Sequence, residues 1–199
     1  MVAMRRYKRE SAPLISRFEE IYTLMRDVYE KTGGKYPALE WVHKKPVPGE
    51  KEWKDRFREI YAPFLRWRLE NEIDEIITVE DPEIIGIIGI NYVHNPEVFE
   101  GYRRIFREIG MELHENSAFL EILAVHPSRW RKGLGRLLLE SAIDRVKDTG
   151  RKAYGITFPD LYPALHLYEL LEAEVLGKVE GFSWNEGDRG ADYLILRFR

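Results

Sequence analysis

The sequence contains no cysteine. This absence excludes a disulfide-stapled scaffold, a metal site built on thiolates and a cysteine nucleophile. The sequence also lacks any apolar run near the roughly 20 residues that a membrane-spanning helix needs. The charged residues at its N-terminus are followed by no apolar segment of the kind found in secretory signals. We therefore expect a soluble, cytoplasmic protein without a membrane partner.

A large excess of charge of one sign is also missing. The 31 Lys and Arg residues and the 34 Asp and Glu residues give a formal net charge of -3, so the chain lacks the basic field of a typical nucleic-acid binder. Its five histidines show no spacing, with one another or with carboxylates, that is typical of metal ligands. We predict no nucleic-acid partner and no metal.

What the chain does contain is a clear hydrophobic periodicity, and 44% of its 199 residues are hydrophobic, enough for one sizeable core. We expect Ser11 and Pro13 to begin the first helix and Pro63 to kink or split the second. The predicted elements, in chain order, are a strand at 4–9, a helix at 11–34, a helix from Trp53 to Leu65, a hairpin around Asp81-Pro82, a helical insertion at 96–110, a strand at 117–127, a helix at 134–150, a strand at 152–158, a helix at 162–173 and two final strands within 174–199. This order predicts an α+β protein with a partly parallel centre.

The turn at 125–136, VHPSRWRKGLGR, places two glycines and several cations between a predicted strand and a predicted helix. The first N–H groups of a helix have no internal partner and attract anions, and glycine lets a phosphate approach them closely. An ordinary helix start with solubilising cations explains the same residues. The P-loop pattern is absent, and Leu138 stands where the dinucleotide-binding pattern needs its third glycine.

The residues of this turn resemble the signature of the GNAT superfamily of acetyl-CoA-dependent N-acetyltransferases. Leu123-Ala124-Val125-His126-Pro127 matches L-x-V-x-P, and 130–135 matches [Q/R]-x-x-G-x-[G/A] with Trp130 in place of Gln or Arg. A second family pattern, N-x-x-A-x-x-L-Y-x-x-x-G-F, matches at Ala164, Leu167 and Tyr168. It departs at Leu161 and at Glu172-Ala173. The resemblance is clear over about 117–172.

The resemblance implies one GNAT domain over 1–199, with a central mixed, mostly antiparallel twisted sheet, a splayed parallel strand pair and helices on both faces. Residues 1–72 would form the acceptor side, and 73–199 the acetyl-CoA-binding core with a helical insertion near 96–110. It implies an acyltransferase that moves the acetyl group of acetyl-CoA to a primary amine, either a protein or peptide N-terminus or a small amine, by direct attack in a ternary complex. It leaves a homodimer open, together with two alternatives: a non-catalytic acyl-CoA-binding regulatory module and a transferase of longer acyl groups.

The resemblance also assigns roles to residues. It implies that coenzyme A is held by Leu123, Ala124, Val125, Trp130, Arg131, Lys132, Gly133, Leu134, Gly135 and Arg136. Backbone N–H groups near Leu123 would polarise the thioester carbonyl, which leaves its side chain free to pack in the core. Tyr168 resembles the tyrosine that hydrogen-bonds the departing thiolate; without the resemblance, a half-buried core tyrosine is the better explanation.

The general base is more open. Glu121 lies two residues before Leu123, so regular alternation predicts that the two share a face, from which Glu121 would take the amine proton directly or through water. A solvent-facing strand residue is the alternative. For His126 we expect a loop role rather than catalysis. Several aromatic residues are candidates for an acceptor pocket, although core packing is their commoner fate: Tyr29, Tyr36, Trp41, Trp53, Tyr61 and Trp184.

Overall fold

The computed structural model describes residues 2–9, 16–185 and 189–199. The elements, in chain order, are β1 (Ala3–Lys8), α1 (Phe18–Lys31), α2 (Trp53–Asn71), β2 (Glu75–Glu80), β3 (Ile84–Asn91), α3 (Pro96–Glu108), β4 (Ser117–Val125), a 3₁₀ turn (Pro127–Arg129), α4 (Leu134–Asp148), β5 (Lys152–Thr157), α5 (Tyr162–Leu170), β6 (Glu174–Phe182) and β7 (Ala191–Phe198). The helix start predicted at Ser11 and Pro13 lies outside the described residues.

The strands form one sheet in the order β1-β2-β3-β4-β5-β7-β6. Every neighbouring pair is antiparallel except β4 and β5, which are parallel. The predicted hairpin around Asp81-Pro82 is confirmed as the pair β2–β3. The mixed, mostly antiparallel sheet with one parallel pair is therefore the architecture that the resemblance implied, and the partly parallel centre predicted from the order of elements is confirmed.

Helices cover both faces of the sheet. On one face, α1 and α2 bury apolar residues such as Tyr29 and Phe57 against β3 and β4. Farther along the same face, α3 buries Phe106 against β5 and β7. On the opposite face, α4 buries Leu138 and Ala142 against β2, β3 and β4, and residues of α5 pack at the margin of that cluster. The β4–β5 junction thus lies between two helical layers.

Two predictions about helices need comment. Helix α2 runs unbroken from Trp53 to Asn71, so of the two predicted effects of Pro63, a kink or a split, the split does not occur. Pro63 is exposed, and the carbonyl of Glu59 that loses its N–H partner lies on the same solvent side, where water can satisfy it. The predicted helix near 96–110 is present as α3, and it buries Tyr102 and Phe106, so it covers part of the core.

Among these helices, none in the described part of the chain combines the length and the apolar composition needed to cross a membrane.

Candidate active site

A β-bulge interrupts β4 near the centre of the sheet. Glu121 pairs with Gly89 and Ala124 pairs with Ile87, so three steps along β4 match two steps along β3. Ile122 absorbs the extra residue with a φ of 53°, which a β-branched residue adopts rarely. The bulge bends β4 at the position from which it parts from β5.

The two parallel strands separate beyond this point. They pair only over 117–119 and 152–154, although β4 continues to Val125. His126 donates its N–H to the carbonyl of Ile85 on β3 at 2.8 Å. Strand alternation therefore turns the N–H groups of Val125 and Leu123 away from β3, towards the gap left by β5. These amides are available to a ligand that lies along β4.

The bulge corrects one prediction. Glu121 contacts side chains of α2 and α3, whereas the side chain of Leu123 packs against the α4 cluster on the opposite face. Regular alternation would have placed both on one face, but the extra residue at Ile122 shifts the phase by one. The expectation that Glu121 and Leu123 share a face is therefore wrong.

The turn between β4 and α4 forms a cradle of backbone amides. Gly133 precedes α4 with a φ of 77°, and a Cβ placed on it would meet no atom within 4 Å. The N–H of Leu137 donates to the carbonyl of Gly133 at 3.0 Å, so the amides of Gly135 and Arg136 precede the bonded part of the helix. This geometry suits an anion at the helix N-terminus.

Cationic side chains surround the cradle unequally. Arg131 and Lys132 are exposed, and neither forms an ion pair with another residue in the described part of the chain. Arg136 pairs with Glu140 at 2.8 Å, and Arg129 pairs with Asp81 at 3.1 Å. The two exposed cations are thus the better placed to meet phosphate groups.

Two side chains fix the loop that leads to the cradle. The indole Nε1 of Trp130 donates a hydrogen bond to the carbonyl of Val125 at 2.6 Å, and its ring packs against the cluster of α1 and α2. His126 lies 2.8 Å from the hydroxyl of Ser128 through Nδ1 and 3.4 Å from Asp27 through Nε2. His126 thus ties the loop to α1, as expected of a loop residue.

Tyr168 lies on α5 beside the end of β5. It is half-buried, and its ring meets that of Phe198 edge-on with centroids 5.6 Å apart. Burial has the larger effect on the pKa of Tyr168 and raises it to about 12, while a hydrogen bond with Thr157, the last residue of β5, lowers this pKa. The hydroxyl is therefore a neutral hydrogen-bond donor near neutral pH, at the strand end that borders the gap.

Glu121 is enclosed by polar partners. Its carboxylate receives hydrogen bonds from the hydroxyl of Tyr102 and, at 3.2 Å, from the amide of Asn91, and it forms an ion pair with Arg68. Arg68 also donates to Glu72. None of these three partners of Glu121, nor Glu72 beside Arg68, was predicted from the sequence. The i, i+4 spacing of Arg68 and Glu72 predicts a helical ion pair, but no local signal indicates that α2 brings it to β4.

The aromatic candidates for an acceptor pocket divide into three groups. Tyr29, Trp53 and Tyr61 are buried in the apolar cluster that α1 and α2 form against the sheet, so they are core residues. Tyr36 and Trp41, on the loop after α1, are partly buried, and burial raises the pKa of Tyr36, with smaller contributions from Tyr61 and Tyr168. Trp184 packs with Tyr102 and donates to the hydroxyl of Tyr193 at 3.0 Å.

Comparisons with known proteins agree with this architecture. The model of the Acetyltransferase (GNAT) family matches residues 20–172. A protein from Pyrococcus horikoshii, solved as a candidate acetyltransferase, is 30% identical, with a TM-score of 0.65 over 100% of this chain and 98% of that one. The PaiA N-acetyltransferase from Thermoplasma acidophilum, solved in complex with coenzyme A, is 15% identical, with a TM-score of 0.58 over 100% of this chain and 99% of that one.

A further relative is much longer than this chain. The UPF0157 protein YqkA from Bacillus subtilis is 35% identical over 122 residues, which cover 53% of this chain and 35% of YqkA. This chain therefore matches only about a third of the length of that relative. The family model, in contrast, takes in β2 to β5, the cradle and α5. The chain belongs to the GNAT acetyltransferase family.

Proposed function

We propose that this chain is an N-acetyltransferase that moves the acetyl group of acetyl-CoA to a primary amine by direct attack in a ternary complex. The observation that carries the proposal is the gap between β4 and β5, which presents unpaired backbone amides beside an anion cradle. A thioester with a pyrophosphate tail needs both features at once. Acetyl-CoA would supply the activated carbonyl, and the residues of this chain would supply binding and proton transfer.

The residues of the cradle would hold the cofactor. The amides around Gly133, Leu134, Gly135 and Arg136 would bind the pyrophosphate, with Arg131 and Lys132 adding charge. This part of the chain fits the group because a Cβ at Gly133 would stand in open space, where a phosphate can approach the backbone. The edge of β4 at Leu123, Ala124 and Val125 would hold the pantetheine arm, and the ring of Trp130 would keep the loop in place.

The reacting groups would lie at the bulge. The N–H of Leu123 would polarise the thioester carbonyl; one such donor is typically worth about 10²–10³ in rate. Glu121 approaches from the α2 side and would take the amine proton as the carbon–nitrogen bond forms. Because Tyr102, Asn91 and Arg68 already occupy much of its carboxylate, we assign this transfer to an intervening water molecule.

Tyr168 would act when the carbon–sulfur bond breaks. A thiol has a pKa near 8.5, so complete transfer of a proton from a tyrosine with a pKa of about 12 is uphill by about 5 kcal/mol. Its hydroxyl would instead donate a hydrogen bond to the developing thiolate, which leaves as the anion or is protonated by solvent.

The acceptor is best described as a weakly basic primary amine. Deprotonating a lysine side chain at pH 7 costs about 4.6 kcal/mol, whereas an α-amine costs about 1 kcal/mol. A carboxylate with three donors is a weak base, so an α-amine of a protein or peptide, or a small amine of similar basicity, suits this site better. Residues 1–72 supply α1 and α2 on the Glu121 face, and we propose that they form the acceptor side.

The test is release of free thiol from acetyl-CoA over a panel of peptides with free N-termini, polyamines and aminoglycosides. The proposal expects turnover with at least one α-amine or weakly basic acceptor. Tight acetyl-CoA binding without turnover on any acceptor would favour the non-catalytic binding module. Mass spectrometry of the acyl-CoA that copurifies with the chain would detect a preference for longer acyl groups.

A further inference from the structure

Two glutamates on the α2 side of β4 share one guanidinium. Arg68 donates through Nε to Glu72 and contacts Glu121 through Nη2. The hydroxyl of Tyr102 donates to Glu121 and lies 3.3 Å from Glu72 Oε1. These contacts join α2, α3 and β4 in one network, with Asn91 of β3 donating to Glu121 at its edge.

The charges of this network do not cancel. Two carboxylates face one guanidinium, while burial raises the pKa of Tyr102 well above its usual range and keeps it neutral. A further titratable neighbour, Tyr61 of α2, is also neutral because burial raises its pKa. The carboxylate side chains are only 11% exposed, so water screens the excess negative charge poorly.

The excess carboxylate matters when Glu121 takes up a proton. With a single partner, Arg68 would then become a buried cation without a counter-ion, and such a state is strongly unfavourable. With Glu72 also bonded to the guanidinium, Arg68 stays paired in both protonation states of Glu121. A second nearby carboxylate also favours protonation of the first, because two like charges repel.

We propose that Glu72 is a positioning residue that sets the proton affinity of Glu121 through the guanidinium they share. The inference rests on the proposed function, in which Glu121 receives the amine proton. Glu72 does not touch the substrates; it keeps Arg68 paired while Glu121 changes charge. A carboxylate held by Arg68 alone would be too weak a base to serve.

Substitutions of Glu72 and of Arg68 should shift the pH at which Glu121 protonates in opposite directions. Replacing Glu72 by Gln removes a like charge and leaves Arg68 dependent on Glu121, so Glu121 should protonate at a lower pH. Replacing Arg68 by Met removes the cation that opposes protonation, so Glu121 should protonate about 1–3 pH units higher. Arg68→Lys, which keeps one charge but cannot bond both carboxylates in the same way, should give a smaller shift in the same direction as Met.

The experiment is a titration of the full-length chain with ¹³C-labelled glutamate carboxyls, followed by NMR. The Glu121 signal is assigned by its absence from the Glu121→Gln variant. The matched control is Glu70→Gln, because Glu70 lies at the end of α2, two residues before Glu72, and pairs with Arg66 in an exposed position. We expect the Glu121 midpoint to fall in Glu72→Gln, to rise in Arg68→Met or Arg68→Lys, and to stay unchanged in Glu70→Gln.

Kinetics provide the second readout. Glu72→Gln should lower kcat at pH 7 by about tenfold or more, with acetyl-CoA affinity unchanged, while Glu70→Gln keeps the parental kcat. This role for Glu72 is overturned if the Glu121 midpoint is the same in the parent and in Glu72→Gln. It is also overturned if the Glu121 signal does not shift with pH in either protein before the protein unfolds. A parent that transfers no acetyl group, or a Glu121→Gln variant with the parental rate, overturns the base assignment itself and this inference with it.

Discussion

The indole nitrogen of Trp130 donates a hydrogen bond to the carbonyl oxygen of Val125 at 2.6 Å. The bond links the loop that precedes α4 to the last residue of β4, so the anion cradle and the strand edge are held at a fixed separation. Trp130 stands where the family pattern has Gln or Arg. In this chain, the side chain at that position stabilises the loop from within.

Trp130→Phe removes this bond while keeping most of the ring. We expect the affinity for coenzyme A to fall about 2- to 13-fold, the scale of one hydrogen bond, because the loop must then be ordered on binding. Isothermal titration calorimetry measures the change. Trp67→Phe is the control, since Trp67 on α2 is 46% exposed and lies outside the cradle. Equal losses in the two variants would contradict a specific role for Trp130.

Gly133→Val tests the cradle itself. The left-handed φ of 77° resists a β-branched side chain, and the new Cβ would stand where a phosphate approaches the amides, so coenzyme A affinity should fall by more than about tenfold. Gly150, at the other end of α4, has a φ of 71° and equally open surroundings. Gly150→Val should therefore lower stability similarly and leave affinity intact. Similar affinity losses at both glycines would show that strain, not phosphate contact, explains the effect.

The bulge at Ile122 shows what the sequence can and cannot predict about this site. The strand at 117–127 and the helix after it follow from apolar periodicity and from the glycine turn, because these signals are local. The extra residue in β4 depends on pairing with β3, which no local pattern reports. Its consequence was decisive, since it moved Glu121 to the face opposite Leu123.

The partners of Glu121 were beyond prediction for a related reason. Arg68 lies more than 50 residues before Glu121 in the chain, and Tyr102 lies on a helix whose packing direction the sequence does not give. Helical spacing predicted α2 and α3 correctly as elements. Which faces meet across the sheet is set by tertiary packing.

Tyr36→Phe tests the proposed acceptor side. Tyr36 lies on the loop after α1, within the segment that we propose as the acceptor side, and burial raises its pKa, with smaller contributions from Tyr61 and Tyr168. We expect kcat/KM for the acceptor to fall several-fold, with acetyl-CoA affinity within about twofold of the parent, because the cradle is formed by a different segment, the turn before α4. Tyr22→Phe, whose ring stacks with Phe18 inside the N-terminal cluster, is the control. Loss of acetyl-CoA affinity in Tyr36→Phe would contradict the division into acceptor and cofactor sides.

Glu75→Gln tests a structural ion pair between β2 and α4, on the face of the sheet opposite Glu121. Arg145 donates to both carboxylate oxygens of Glu75, at 2.9 and 2.7 Å, and these hydrogen bonds hold the pKa of Glu75 below its usual range. A lowered folded pKa means that the pair stabilises the protein fully above about pH 4.3 and loses this effect as pH falls through the folded value. We expect a loss of about 1–3 kcal/mol at pH 7 that shrinks below pH 4. Urea unfolding at pH 7 and below pH 4 measures the loss in the free energy of unfolding. A loss that is the same at the two pH values would contradict the pairing.

Tyr168→Phe separates catalysis from packing. If the hydroxyl steadies the thiolate, its effect belongs to the transition state, where sulfur carries charge. The variant should then lower kcat and kcat/KM together by about 10- to 1000-fold, with acetyl-CoA affinity scarcely altered. The ring still meets Phe198, so stability should fall by no more than about 1–2 kcal/mol.

The pH dependence of this variant provides a sharper check. Because burial raises the pKa of Tyr168 to about 12, its hydroxyl keeps its proton throughout the range from pH 7 to 10. The ratio of parental to variant kcat should therefore stay constant over that range, whereas a hydroxyl with an ordinary pKa near 10 would begin to lose its contribution at the upper end. Tyr162→Phe, on the same helix and 71% exposed, should match the parent throughout. A Tyr168→Phe variant that acetylates a confirmed acceptor at the parental rate, with chemistry limiting, would assign Tyr168 to the core alone.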